Sequence, residues 1–108
     1  MSRDRLEQLR AMLAEEPGDL FLRYAIALEH KRMGAMEQAV LQLEDILREE
    51  PGHLPSYYQL AVMLADLGRS QEAIEACNAG SLRCIVAGDR KARLELLALK
   101  DQISGDLS

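Results

Sequence analysis

The sequence contains two histidines and two cysteines, His30, His53, Cys77 and Cys84, which are the first residues to consider for metal binding or nucleophilic chemistry. The two histidines are far apart in the sequence, and neither has a carboxylate or a cysteine at the spacing of a metal-ligand pair. We therefore interpret His30 as a packed side chain and His53 as a turn or cap residue. The sequence predicts no metal site.

The two cysteines are seven residues apart in what we predict to be one helix. Two helical turns separate them by about 10 Å along the axis, which is too far for a disulfide, so we interpret both as small buried residues. The serines other than Ser81 fall at helix starts and chain ends, and no Ser-His-Asp or Cys-His arrangement can be assembled. Turn geometry explains the glycines outside helices, and no glycine-rich phosphate loop is present. We predict no catalytic residue, no cofactor and no enzymatic activity.

The composition limits the class of protein and of partner. The chain has 108 residues, of which 48% are hydrophobic and 29% charged, as is typical of one folded domain. Its net charge is −5 and its basic residues are spread along the chain, which argues against a nucleic-acid partner. The first six residues include three charged ones and no apolar run follows them, so we expect neither a secretory signal nor a membrane anchor. The expected location is the cytoplasm.

An internal repeat organises the sequence. Residues 15–20 (EEPGDL) return thirty-four residues later at 49–54 (EEPGHL), and a weaker echo, AGD, stands at 87–89. A unit of this length cannot bury its own apolar face and must stack on neighbouring units. Function is therefore expected on a surface. The identities between residues 17–50 and 51–84 are Pro17/Pro51, Gly18/Gly52, Leu20/Leu54, Tyr24/Tyr58, Ala27/Ala61, Gly34/Gly68 and Ala39/Ala73.

Helical spacing of apolar residues predicts a helix between each pair of turn signals. Asp4 and Glu7 are spaced like a capping box, Asp19 is a candidate N-cap, and Gly34 and Gly68 are candidate left-handed stops. We expect one domain, 1–108, in which the fifth helix runs on to about residue 87. Its parts are an N-terminal half-repeat at 4–16, repeats at 20–50 and 54–87, and a C-terminal cap helix at 89–104.

Paired helices at a thirty-four-residue period, with Gly after the first helix, Ala five residues later and Pro after the second, resemble the tetratricopeptide repeat family. The resemblance implies an all-α fold: a right-handed stack of antiparallel helix pairs, an α-solenoid of about six helices. Arg23 and His30 depart from the aromatic residues usual at those positions. Gly80 lies inside the fifth predicted helix, where close packing or a bend would explain it.

In this family the first helices of the pairs line a concave groove, so the resemblance implies where a partner would bind. Tyr24 and Leu28 lie one turn apart on one first helix, and Tyr58 and Val62 repeat them on the next. We expect a groove for a peptide or helix of a partner protein. Tyr24 and Leu28 argue against a clamp for C-terminal carboxylates, which uses Lys and Asn there. The expected rims are Phe21, Lys31 and Arg32 in the first copy and Pro55 and Asp66 in the second.

Two alternatives stay open for the C-terminal helix. Its apolar stripe, which includes Leu96 and Leu99, could pack over the groove positions and make them part of the core. The same stripe could instead remain exposed and join two copies of the chain, so that the protein would be a structural homodimer built through its end helices.

Overall fold

The computed structural model describes residues 2–107, with side chains from residue 4 onward. These residues form six α-helices and no strands, which confirms the expected all-α fold. The helices are α1 (Ser2–Glu15), α2 (Leu20–Arg32), α3 (Met36–Glu49), α4 (Leu54–Asp66), α5 (Ser70–Ala87) and α6 (Arg90–Asp106).

The helix ends follow from local chemistry. Asp19 caps α2, since its Oδ1 accepts a hydrogen bond from the backbone N–H of Leu22 at 3.0 Å. Gly34 and Gly68 adopt φ values of 84° and 79°, as the stops after α2 and α4 require. The capping box expected at Asp4 is wrong, because α1 already begins at Ser2 and Asp4 lies within its first turn.

The chain divides after Ile46 into two compact units. In the N-terminal unit, α1 packs on α2. A polar contact also joins α2 to α3, where the His30 Nδ1 and the Gln42 Oε1 are 2.9 Å apart. The apolar core between α1 and α2 consists of Leu6, Leu9, Leu22 and Ile26, with Leu13 and Ala25 beside it.

The C-terminal unit begins at Leu47, and in it α5 packs against both α4 and α6. The three helices meet at Gly80: a Cβ there would lie 2.7 Å from the Tyr57 Cβ and 2.8 Å from the Leu96 Cδ1. Such distances leave no room for a side chain, so close packing explains this glycine. The apolar stripe of α6 is buried within this unit at Leu96, Leu99 and Ile103.

Candidate functional site

One face of α2 carries most of the residues expected to bind a partner. Phe21, Tyr24, Leu28 and Lys31 follow one another at intervals of three or four residues, which places them on the same side of the helix. Phe21 is 73% exposed and the other three are half-buried. This face therefore offers an apolar, partly exposed strip with a cation near its C-terminal end.

Arg32 was expected at the rim of the same face, and the structure gives it a definite partner. Its Nη2 donates to the Glu29 Oε2 at 2.8 Å and its Nε to the Glu29 Oε1 at 3.3 Å. The Arg5 Nε lies 3.5 Å from the Glu29 Oε1. These cations hold the pKa of the Glu29 carboxyl below its usual range, chiefly through the hydrogen bond from Arg32. Arg32 thus helps to keep a buried carboxylate ionised.

Next to this ion pair lies a second buried polar group, His30. Its Nδ1 faces the Gln42 Oε1, which can only accept, and its Nε2 lies 3.4 Å from the Arg10 Nη2, which can only donate. A single tautomer, protonated at Nδ1, satisfies both partners. His30 is therefore a packed residue that links α1, α2 and α3, as the sequence interpretation has it.

In the C-terminal unit, α4 presents the second pair of candidate residues. Tyr58 is 39% exposed and Val62 is half-buried one turn away. The neighbouring Tyr57 points into the core and donates from its Oη to the Pro51 carbonyl oxygen at 2.5 Å. Burial raises the pKa of the Tyr57 hydroxyl. The two adjacent tyrosines thus differ in their surroundings: Tyr57 is buried in the core of the unit, and Tyr58 is partly exposed at its surface.

A further residue of the same kind, Leu94 on α6, was missed by the sequence interpretation. It is 61% exposed, and it stands thirty-six residues after Tyr58. The echo at residues 87–89 has that same offset from 51–53, so aligning α6 on α4 with two inserted residues would have found it. Because α6 also contacts α4, Leu94 adds an apolar side chain to the exposed surface of this unit.

The position of α6 shows whether its apolar stripe packs within the chain or is exposed to a second copy. Leu96 and Leu99 face the core of the C-terminal unit, while Tyr58 keeps its exposure with α6 in place. The apolar stripe of α6 is therefore buried within this unit and cannot join two copies of the folded chain. The packing of α6 does not cover Tyr58.

The two cysteines and His53 lie in surroundings that indicate a structural role. Burial raises the pKa of the Cys77 and Cys84 thiols, which makes both poor nucleophiles at neutral pH. His53 precedes α4, and its Nδ1 lies 2.7 Å from the Ser56 Oγ. Within the described residues, no group of three or more His, Cys, Asp or Glu side chains could hold a metal ion. None of the helices described is long and apolar enough to cross a membrane.

Comparison with known proteins gives matches at the level of structure. No protein-family model and no curated protein matches the chain. A tetratricopeptide repeat domain protein from Salinibacter ruber is similar, with a TM-score of 0.79 and 29% identity over 82% of this chain and 90% of that one. A protein from Bordetella parapertussis has a TM-score of 0.83 at 22% identity over 94% and 88% of the two chains. MamA from MSR-1 has a TM-score of 0.62 at 16% identity over 99% and 70%. The last two likenesses concern the fold alone.

Proposed function

We infer that this chain, a protein of the tetratricopeptide repeat type, is a protein–protein interaction module without catalytic activity. Its ligand is a peptide or helix of a partner protein, and each unit offers such a ligand one exposed apolar helix face, that of α2 in the N-terminal unit and that of α4 in the C-terminal unit. The observation that carries this proposal is the recurrence of a partly exposed Tyr and an aliphatic residue one turn later, at Tyr24/Leu28 and again at Tyr58/Val62. Aromatic and aliphatic side chains at helical spacing suit an apolar peptide.

The chemistry of the two faces limits the ligand. Each face offers an aromatic ring and an aliphatic side chain, so the ligand needs apolar anchor residues at a similar spacing. Lys31, at one end of the α2 face, favours an acidic residue near that end of the ligand. Leu94 extends the apolar surface in the C-terminal unit.

The test uses peptides selected for binding to the intact chain from a random library. Tyr24→Ala is expected to weaken a peptide that binds the α2 face about tenfold, which is roughly 1.4 kcal/mol of binding free energy. Tyr58→Ala and Leu94→Ala are each expected to weaken a peptide that binds the C-terminal unit by the same factor. Fluorescence polarisation with a labelled peptide measures the Kd. Leu41→Ala is the matched control, because Leu41 is an exposed leucine of α3 outside both faces and its loss should leave the Kd unchanged.

Circular dichroism confirms that each variant remains helical before its Kd is compared. Selected peptides that bind Tyr24→Ala and Tyr58→Ala as tightly as they bind the unmodified chain would refute the proposal.

Self-association is the second candidate function, through surfaces other than the buried stripe of α6. Two exposed surfaces of opposite charge, one at the junction of α1 and α2 and one at the junction of α5 and α6, favour it.

A further inference from the structure

The first surface is an acidic pocket at the junction of α1 and α2, formed by Met12, Glu15, Glu16 and Phe21. These residues, with Asp19 and Leu22, line a depression of about 410 Å³. Met12 and Phe21 are both more than half exposed, whereas Ile46, the residue one repeat after Met12, is buried. The acidic pocket thus displays apolar side chains beside two carboxylates.

Glu15 and Glu16 of the acidic pocket interact unfavourably with the dipole of α1. Glu15 and Glu16 stand at the C-terminal end of α1, which the helix dipole makes partly negative, and the last turn contains no basic residue. In α3, one repeat later, Arg48 occupies that turn. The side chains of Glu15 and Glu16 form no hydrogen bond or ion pair with any other described residue.

The second surface is a basic face at the junction of α5 and α6, formed by Ile85, Val86, Arg90 and Arg93. Helix α5 has 18 residues against 14 in α3, and the additional turn displays Ile85 and Val86, the latter 82% exposed. A depression of about 210 Å³ lies there, and Ile85, Arg90 and Arg93 are among the residues that line it.

The cations of the basic face lie at the N-terminal end of α6, where the helix dipole is unfavourable for positive charge. The first turn of α6 contains Arg90, Lys91 and Arg93 and no acidic residue, although the dipole makes this end partly positive. The carboxylate that precedes them, Asp89, is occupied as the N-cap, accepting from the Ala92 N–H at 3.0 Å. Neither Arg90 nor Arg93 forms a hydrogen bond or ion pair with another residue of the described chain.

We propose that the acidic pocket of one copy of this chain binds the basic face of another copy. The match is chemical on both counts: Glu15 and Glu16 against Arg90 and Arg93, and Met12 and Phe21 against the apolar side chains of α5. Each partner relieves the other's unfavourable helix end, because it brings cations to the C-terminus of α1 and carboxylates to the N-terminus of α6.

The geometry of this contact differs from a two-fold dimer. The acidic pocket and the basic face are different surfaces, so each bound pair leaves one of each unoccupied, and association continues into a ring or an open chain of copies. Few side chains take part and much of the attraction is between exposed charges, so the contact is weak, concentration-dependent and sensitive to salt. This inference specifies the second candidate function. The acidic pocket shares Phe21 with the α2 face but has no residue in common with the α4 face, so peptide binding at Tyr58 and Val62 concerns a separate surface.

The test is a charge exchange followed by sedimentation velocity from about 10 µM to about 1 mM protein at low salt. One variant carries Glu15→Lys and Glu16→Lys, and the other carries Arg90→Glu and Arg93→Glu. Each alone is expected to stay monomeric, since its two surfaces then have the same charge. An equimolar mixture of the two is expected to associate again, as is the chain that carries all four changes.

Stability separates this result from unfolding. Both exchanges place charges that suit the helix ends, so each variant is expected to have an equal or higher Tm although it no longer associates. Val86→Ser should weaken association of the unmodified chain, whereas Leu41→Ser and Tyr58→Ala should not. The proposal is overturned if the unmodified chain is monomeric throughout the range, if single-exchange variants associate like it, or if mixing them restores nothing.

Discussion

Corresponding positions of α2 and α4, one repeat apart, are buried in both units but differ in chemistry. In the N-terminal unit the positions hold Glu29 and His30, 4% and 3% exposed. In the C-terminal unit they hold Met63 and Leu64, which are buried to the same degree. At these two positions the repeat preserves burial, but the chemistry of the buried side chains differs between the units.

The charges around each position explain the difference. Glu29 has Arg32 one turn away on its own helix and Arg5 on α1. Thirty-four residues after Arg32, the corresponding position of α4 holds Asp66. A buried carboxylate is therefore paired with cations in the N-terminal unit, whereas at the equivalent position of the C-terminal unit it would lie one turn from a second carboxylate.

Exchanging the buried residues should produce the largest effect. Met63→Glu places an unpaired carboxylate in an apolar core beside Asp66, and we expect it to lower the free energy of unfolding by about 3 to 5 kcal/mol at pH 7. That is a large part of the stability of a small domain. Urea unfolding followed by circular dichroism measures the loss. Lowering the pH should recover part of it, because the new carboxyl then takes up a proton.

The reverse change, Glu29→Met, is expected to be tolerated, since Arg5 and Arg32 are mostly exposed and can turn to solvent. Adding Asp66→Arg to Met63→Glu recreates the Glu29–Arg32 spacing and should restore part of the lost stability. The comparison fails if Glu29→Met is as damaging as Met63→Glu, or if Asp66→Arg gives no recovery.

The close contact at Gly80 is special to the C-terminal unit and gives a smaller effect. Gly80→Ala improves helix propensity by about 1 kcal/mol but forces a methyl group against Tyr57 and Leu96. Overpacking of this kind costs about 1 to 3 kcal/mol, so we expect net destabilisation. Gly105→Ala is the matched control in α6, since a Cβ there meets no other atom within 4 Å. A Gly80→Ala chain as stable as the Gly105→Ala chain would show that α5 can move away from α4.

The helical framework could be predicted because its signals are local. Pro17 and Pro51 mark the turns, Gly34 and Gly68 stop helices, and apolar spacing gives the helices between them. The packing at Gly80 was predicted only as one of two explanations. Deciding between them requires knowing which side chains meet there, and Tyr57 and Leu96 come from other helices of the unit.

The candidate site was predictable in part, for the same physical reason. Spacing placed Tyr24 and Leu28 on one helix face, and Tyr58 and Val62 on another. It could not show that Arg32 is engaged by Glu29, since an exposed rim cation and the partner of a buried carboxylate look alike in sequence. Nor could it assign the stripe of α6 to the core, because an amphipathic end helix has the same pattern whether it packs on its own chain or on another.

The pH dependence of stability offers the smallest and most specific test of the difference between the units. Burial lowers the pKa of His53 from its ordinary 6.5, so its contribution in the C-terminal unit is present above pH 6.5 and falls as the pH drops below that value. The Glu29 pKa is lowered from 4.5 by Arg32, so its contribution is present above pH 4.5 and is lost only at lower pH. We expect His53→Asn to flatten the unfolding free energy just below pH 6.5, by less than about 1 kcal/mol, and Glu29→Gln to flatten it below pH 4.5. Urea titrations at a series of pH values from about 8 to about 3 measure both slopes. Histidine and glutamate titrate in separate pH ranges in the unfolded chain, so the two effects can be told apart. If neither substitution changes how the unfolding free energy falls with pH, that fall is due to other groups.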